Sequence, residues 1–202
     1  MDIAKTEKGI ISQLPNGFIS RTKRATTGKA EIGPFPDAKI KTLLQNSNFA
    51  STEGWAPSGG ESSFSVSGHT GNLILSGANT SLSQFITLRA GHTYYAAAQL
   101  NGIAEKTHIY ITNLSDDANL GVGTLNSSGN YALVSCIAQI WAGDISGRIQ
   151  FGSWQLDSTE YPSNLKIANA CLIDLSDCGL LGLTKDEIDS IVYYTPNWDR
   201  TN

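Results

Sequence analysis

Two adjacent runs alternate with a period of two. In one, Leu82, Gln84, Ile86 and Leu88 share a face, with Phe85 and Arg89 on the other. In the next, Tyr94, Ala96, Ala98 and Leu100 oppose Tyr95, Ala97 and Gln99. A helix repeats every 3.6 residues and a strand every two, so these runs are strands joined at Ala90-Gly91. Such alternation buries one face and leaves the other wet or ligand-facing.

The surroundings extend the pattern. Upstream, the lead LLQNSNFASTEGW ends in Gly54-Trp55 and passes into a Ser/Gly-rich turn. Phe64 and Val66 alternate with Ser63, Ser65 and Ser67, and Leu73-Ile74-Leu75 follows the turn SGHTGN. Downstream, HIYITN turns Ile109 and Ile111 inward, and the polar connection SDDANLGVGTLNSSGN has room for one more short strand. YALVSCIAQIW, RIQFGSWQL and LKIANACLIDL read as three further strands. Roughly eight or nine strand candidates at this spacing predict an all-β chain built as a jelly-roll β-sandwich. The 20 glycines and the wealth of Ser, Thr and Asn suit turns and short strands. A charged content of 16% is too low for a disordered chain.

One short C-terminal helix is expected. Thr184 with Glu187 three residues on makes a capping box. Asp186, Glu187 and Asp189 enrich the first turn, as the helix dipole favours. Ile188, Ile191 and Val192 form the apolar stripe, and Pro196 ends it. The tail YYTPNWDRTN is aromatic enough to pack on a surface.

Residues 1–42 hold neither period for long, because Gly9, Pro15, Gly17, Gly28, Gly33, Pro34 and Pro36 interrupt it. They are read as an extended N-terminal arm with at most one short strand or helical turn, and 43–202 as the sandwich with its helix and tail. Charge divides at the same place. Residues 1–41 carry eight Lys/Arg against four Asp/Glu, a net +4; the rest carry six against fourteen, a net −8. A basic arm on an acidic body suits docking on a neighbour. Arg21, Lys23, Arg24 and Phe18 in the arm, with Trp198 in the tail, are the assembly candidates. Nucleic acid is not an expected partner, since the basic residues are spread out without interleaved aromatics.

Cys136, Cys171 and Cys178 form no C-x-x-C and have no His at metal-ligand spacing, so they read as small buried hydrophobes. The N-terminus lacks a continuous apolar core of signal-peptide length. No run of 18 apolar residues predicts a membrane span, so no membrane partner is expected. Catalysis finds no parts: there is no G-x-S-x-G, no H-E-x-x-H and no phosphate loop. His69, His92 and His108 lie in separate β segments. Asp116-Asp117 could pair as acid and base, but S-D-D-A-N reads better as a surface turn. No enzyme is expected.

Three stretches carry a resemblance. LLQNSNFASTEGW resembles the opening of carbohydrate-binding-module-like jelly rolls, where N-x-x-F then G-W marks the first strand. ITLRAGHTYYAAAQL is similar to their A/P-G-H-x-Y-Y strand. CLIDLSDCGLLGLTKDEIDSIVYY resembles the ending of such domains in tail and baseplate proteins of phages of Gram-positive bacteria. The resemblance covers about residues 43–194. It departs at Cys178-Gly179-Leu180-Leu181-Gly182-Leu183, where the family has Gly-x-Gly-Asn-Glu-Pro.

The resemblance implies a virion component, assembled in the host cytoplasm as a homo-oligomer with other tail proteins. Its sandwich would present a surface for host cell-wall carbohydrate. The alternatives are a purely structural tail protein and an accessory module of a glycoside hydrolase. Sugar C–H faces stack on aromatic rings while amides and hydroxyls bind the sugar hydroxyls. Trp141, Trp154 and Tyr110 are the saccharide-binding candidates, whereas Trp55 is read as core. No cofactor is expected. A structural calcium ion occurs in related jelly rolls, with Asp157, Glu160 and Asp174 eligible and Asn48 less so.

Overall fold

The computed structural model describes residues 40–59 and 62–190 with their side chains. It also describes the backbone of four N-terminal strands and of a helix reaching Tyr194. The N-terminal strands are β1 (Ile3–Thr6), β2 (Gly9–Gln13), β3 (Ile19–Arg24) and β4 (Ala30–Ile32). They pair antiparallel in chain order, so the segment read as an extended arm contains a small meander. Strands of three to six residues are too short to show a period between breakers. Arg21, Lys23 and Arg24 belong to β3. Phe18 and Trp198 lie outside the described residues, as do Pro196 and the tail after Tyr194.

The sandwich has ten strands: β5 (Ala56–Ser58), β6 (Phe64–Ser67), β7 (Thr70–Leu75), β8 (Thr80–Leu88), β9 (Thr93–Asn101), β10 (Thr107–Asn113), β11 (Asn119–Thr124), β12 (Ala132–Gln139), β13 (Ile145–Ser153) and β14 (Ser163–Asp174). One sheet runs β11-β10-β13-β8-β5 and the other β12-β9-β14-β7-β6, every pairing antiparallel. The all-β sandwich expected from the alternation is therefore present. The polar connection after β10 does hold a strand, β11.

Inward residues of both sheets build the main core. Leu82 and Leu88 meet Ile109, Ile111, Ile149 and Phe151 from the first sheet, and Leu73, Tyr94, Ala96, Leu100, Leu165 and Leu172 from the second. Trp55 belongs here, as expected. It stacks on Phe49 at 5.2 Å, leans on Phe151 at 5.6 Å, and donates its indole N–H to the Asn46 carbonyl at 3.1 Å. Two glycines let the sheets approach at one margin. A Cβ on Gly121 or Gly123 of β11 would lie 2.8 Å or 2.5 Å from a backbone carbonyl oxygen of β12.

The second sheet is buried on both faces, which the alternation did not reveal. Tyr95, Ala97, Cys171, Ile173, Leu175, Cys178, Leu180 and Ile188 form a separate core on its outer side. A bulge in β14 makes this arrangement consistent. Leu165 and Ile167 point into the main core, the register slips between Ala168 and Cys171, and Ala170 and Leu172 then take the inward positions. Asn169, with φ of 53°, sits at the slip.

Helix α1 (Lys185–Tyr194) helps close the second core. Its capping box is complete: the Glu187 carboxylate accepts the Thr184 N–H at 3.0 Å, and the Thr184 hydroxyl accepts the Glu187 N–H at 3.3 Å. Ile188 plugs the core, and the Tyr95 hydroxyl donates to Asp189 at 2.7 Å. Tyr94 and Tyr95 are both buried, one in each core. All three cysteines are buried and none is disulfide-bonded among the described residues, as read from the sequence.

Candidate functional site

The outer face of the β11-β10-β13-β8-β5 sheet is the one that α1 does not cover. Residues paired across neighbouring strands share a face. Since Ile109, Ile111, Ile149, Phe151 and Leu82 point inward, their neighbours point out. Tyr110 therefore shares a row with Val122, Gln150, Ser83 and Ala56, and His108 shares one with Thr124, Gly152, Ser81 and Ser58. A third row joins Thr112, Arg148 and Phe85.

Three rings gather on this face. Trp154 comes one step beyond β13, in phase with Gly152 and Gln150, and its backbone N–H bonds the Lys106 carbonyl at 3.0 Å. Its ring meets Tyr110 edge to face, with centroids 4.5 Å apart at 89°. His108 lies 5.4 Å from Tyr110 and 5.8 Å from Trp154. Perpendicular rings cannot make one flat platform; they offer a wall and a floor to a ligand lying between them.

Beside the rings runs a polar ladder that crosses all five strands. The Thr112 hydroxyl stands 3.3 Å from Asn119 Oδ1 and 3.2 Å from Gln150 Oε1. Gln150 Nε2 donates to the Ser81 hydroxyl at 3.3 Å, which is 2.8 Å from that of Ser58. Thr112, Gln150 and Ser81 are only 1%, 8% and 4% exposed, so the ladder lies low among taller neighbours. Four inter-strand steps make it about 19 Å long.

The face is close to neutral. Arg148 pairs with Asp117 at 3.0 Å, and its buried Nε has no partner among the described residues. Burial holds His108 below the usual imidazole range, and its Nδ1 lies 3.0 Å from the Thr124 hydroxyl. Asp116 bonds the Ala118 N–H in a turn and Asp117 pairs with Arg148, which fits the surface-turn reading of S-D-D-A-N.

Of the saccharide candidates, Tyr110 and Trp154 come together and Trp141 stands apart. Trp141 is 80% exposed in the loop before β13, whereas Trp154 follows that strand's far end. The nine residues of β13 that lie between them span about 30 Å. Sequence reasoning missed His108, Gln150, Ser81 and Phe85 as companions of Tyr110. Alternation shows that each points outward, but only the register shows that they are neighbours.

The acids eligible for calcium are held by side-chain cations. Asp157 and Glu160 accept the Lys106 ammonium at 3.1 Å and 2.8 Å. Arg89 bridges Asp174 and Asp177, and His92 Nδ1 lies 2.9 Å from Asp174. His92, Asp174 and Asp177 could offer ligand atoms within 4.8 Å of one another, but Arg89 already lies on both carboxylates. Burial works against charge on Asp174; Arg89 and His92 outweigh it and hold the carboxyl below its ordinary range. A calcium ion at either place would have to displace a fixed cation. Among the described residues, no helix is long and apolar enough to cross a membrane.

Solved structures share this architecture. A carbohydrate-binding module described as CBM4 superposes with a TM-score of 0.53 at 13% identity, covering 65% of this chain and 99% of its own. An arabinose-bound α-L-arabinofuranosidase, MgGH51, gives 0.52 at 13% identity over 69% of this chain; the match spans 27% of that enzyme. A tailspike protein of bacteriophage CBA120 gives 0.48 at 12% identity over 68% of this chain and 21% of its own. No protein-family model matches the sequence, and neither does any curated protein. The fold is thus the jelly-roll β-sandwich found in carbohydrate-binding modules. At these identities the likeness defines the fold alone.

Proposed function

We propose that this protein is a non-catalytic binder of a neutral saccharide chain, which lies across the outer face of the β11-β10-β13-β8-β5 sheet. The observation that carries this reading is the Tyr110–Trp154–His108 ring cluster beside a five-strand ladder of hydroxyls and amides. Rings take the C–H faces of a sugar, while neutral His108 and the exposed ends of the ladder, Asn119 and Ser58, exchange hydrogen bonds with its hydroxyls. The charge on this face argues for the ligand class. Among the described residues its cations, Arg148 and Lys106, are already paired with Asp117 and with Asp157 and Glu160, so a phosphate or uronate chain would find no free partner there. The fold shared with a CBM4 module supports the same reading.

The test is retardation of the protein in gels containing soluble neutral glucan, mannan or xylan, against anionic wall polymers such as teichoic acid. Retardation by at least one neutral chain, and none by the anionic polymers, is expected. Retardation only by anionic polymers would refute the neutral assignment, and none at all would refute saccharide binding by this face.

The place of work we propose is a phage tail or baseplate, with residues 1–42 as the attachment segment and with copies of this chain and other tail proteins as partners. The resemblance of CLIDLSDCGLLGLTKDEIDSIVYY to tail-protein endings supports it, as does the +4 segment preceding a −8 body. An accessory module of a glycoside hydrolase fits the sandwich equally well. Deleting residues 1–41 separates the two: on the tail reading, the truncated sandwich folds but fails to enter particles. Normal incorporation would refute the attachment role.

A further inference from the structure

Lys106 directly precedes β10 and is in phase with the outward His108 and Tyr110. Its carbonyl accepts the Trp154 N–H at 3.0 Å. Its ammonium donates to the Gln155 carbonyl at 3.0 Å, to Asp157 Oδ2 at 3.1 Å and to Glu160 Oε2 at 2.8 Å. The same Glu160 oxygen accepts the Asp157 N–H at 2.7 Å. One lysine thus grips both ends of the 154–160 loop.

That loop needs a grip. Gln155 has φ of 57°, a left-handed conformation that costs a non-glycine residue energy and persists only where the surroundings impose it. Its N–H is fixed by Asn79 Oδ1 at 3.0 Å and its carbonyl by Lys106. Without the ammonium, the carbonyl and two carboxylates would face one another with no counter-charge.

We propose that Lys106 is a positioning residue: by closing the 154–160 loop on its ammonium, it holds the Trp154 ring perpendicular to Tyr110. Its effect on affinity rests on the saccharide reading above; its effect on the ring does not. Lys106 keeps Glu160 below the ordinary carboxylate range, so the contact persists across neutral pH.

The experiment is NMR of the full chain carrying Lys106→Met, which retains the stem and loses the charge. The Trp154 indole N–H is assigned by its disappearance in Trp154→Phe. In Lys106→Met that resonance should shift, and the cross-relaxation peaks between the Trp154 and Tyr110 rings should vanish, while the buried Trp55 indole stays in place. Affinity for the retarding glycan should fall about tenfold, the scale on which supporting residues act. Lys106→Arg, which keeps a cation, should preserve the ring contact. An unchanged Trp154 resonance with intact ring contacts in folded Lys106→Met overturns the proposal. If Lys106→Met does not fold, the loop variant Asp157→Asn with Glu160→Gln takes its place, with the same two outcomes. Because the ring is observed without any ligand, failure of the wild type to bind glycan would refute the saccharide reading and leave this test standing.

Discussion

Alanine at Trp154 should weaken binding of the retarding glycan by about 2 kcal/mol or more, roughly thirtyfold, the loss typical of an aromatic anchor. Its thermal midpoint should change little. Trp154 is only half-buried and stands outside both cores, and its ring packs on Tyr110 and His108 rather than on the sandwich interior. Tyr110→Ala should act on the same site. Because the two rings touch, the double variant should lose less than the two single losses together. Trp141→Ala is the internal control: at the far end of β13, it should leave this affinity intact. Isothermal titration with the four variants checks all of this. Unchanged affinity in Trp154→Ala, or a larger loss in Trp141→Ala, would move the site away from this face.

Alanine at Phe151, three residues earlier, should do the reverse. It is fully buried in the central strand of its sheet, flanked by Ile109 and Leu82 in register and capped by Trp55 at 5.6 Å. Removing a buried phenylalanine ring costs about 3–5 kcal/mol, because the cavity only partly collapses. In a chain of 202 residues that lowers the thermal midpoint on the order of 10 °C. Urea denaturation of the wild type and Phe151→Ala measures it directly. A cost below about 1 kcal/mol would mean that the aromatic cluster of Phe49, Trp55 and Phe151 does not hold the two sheets together as described.

The contrast between Phe151 and Trp154 shows what alternation makes legible. In RIQFGSWQL the period of two separates the core side chain from the surface ring, and the structure puts both where that period implies. The same reasoning turned Leu82 inward and left Phe85 62% exposed. It could not find the ladder, because Asn119, Thr112, Gln150, Ser81 and Ser58 come from five strands and meet only through long-range register. It also missed the second core. Tyr95 and Ala97 look like an outward face until residues 175–190 fold over them, and the β14 bulge that aligns Cys171 and Ile173 beneath that cover has no signature beyond Asn169. The N-terminal strands were hidden by their brevity.

The cover that α1 and its preceding loop place over the second sheet has a consequence for avidity. With Tyr95, Cys171 and Ile173 sealed away, each copy has a single open aromatic sheet face among the described residues, and on the saccharide reading proposed above it would grip one glycan segment at a time. On that reading, stronger hold on a repeating polymer would come from number. Copies displayed together, with their open sheets facing the same way, would raise one another's effective concentration at the polymer and multiply a modest single-site affinity. For such a display the spacing and orientation set by the attachment proposed for residues 1–42 would matter as much as any contact made by Tyr110 or Trp154.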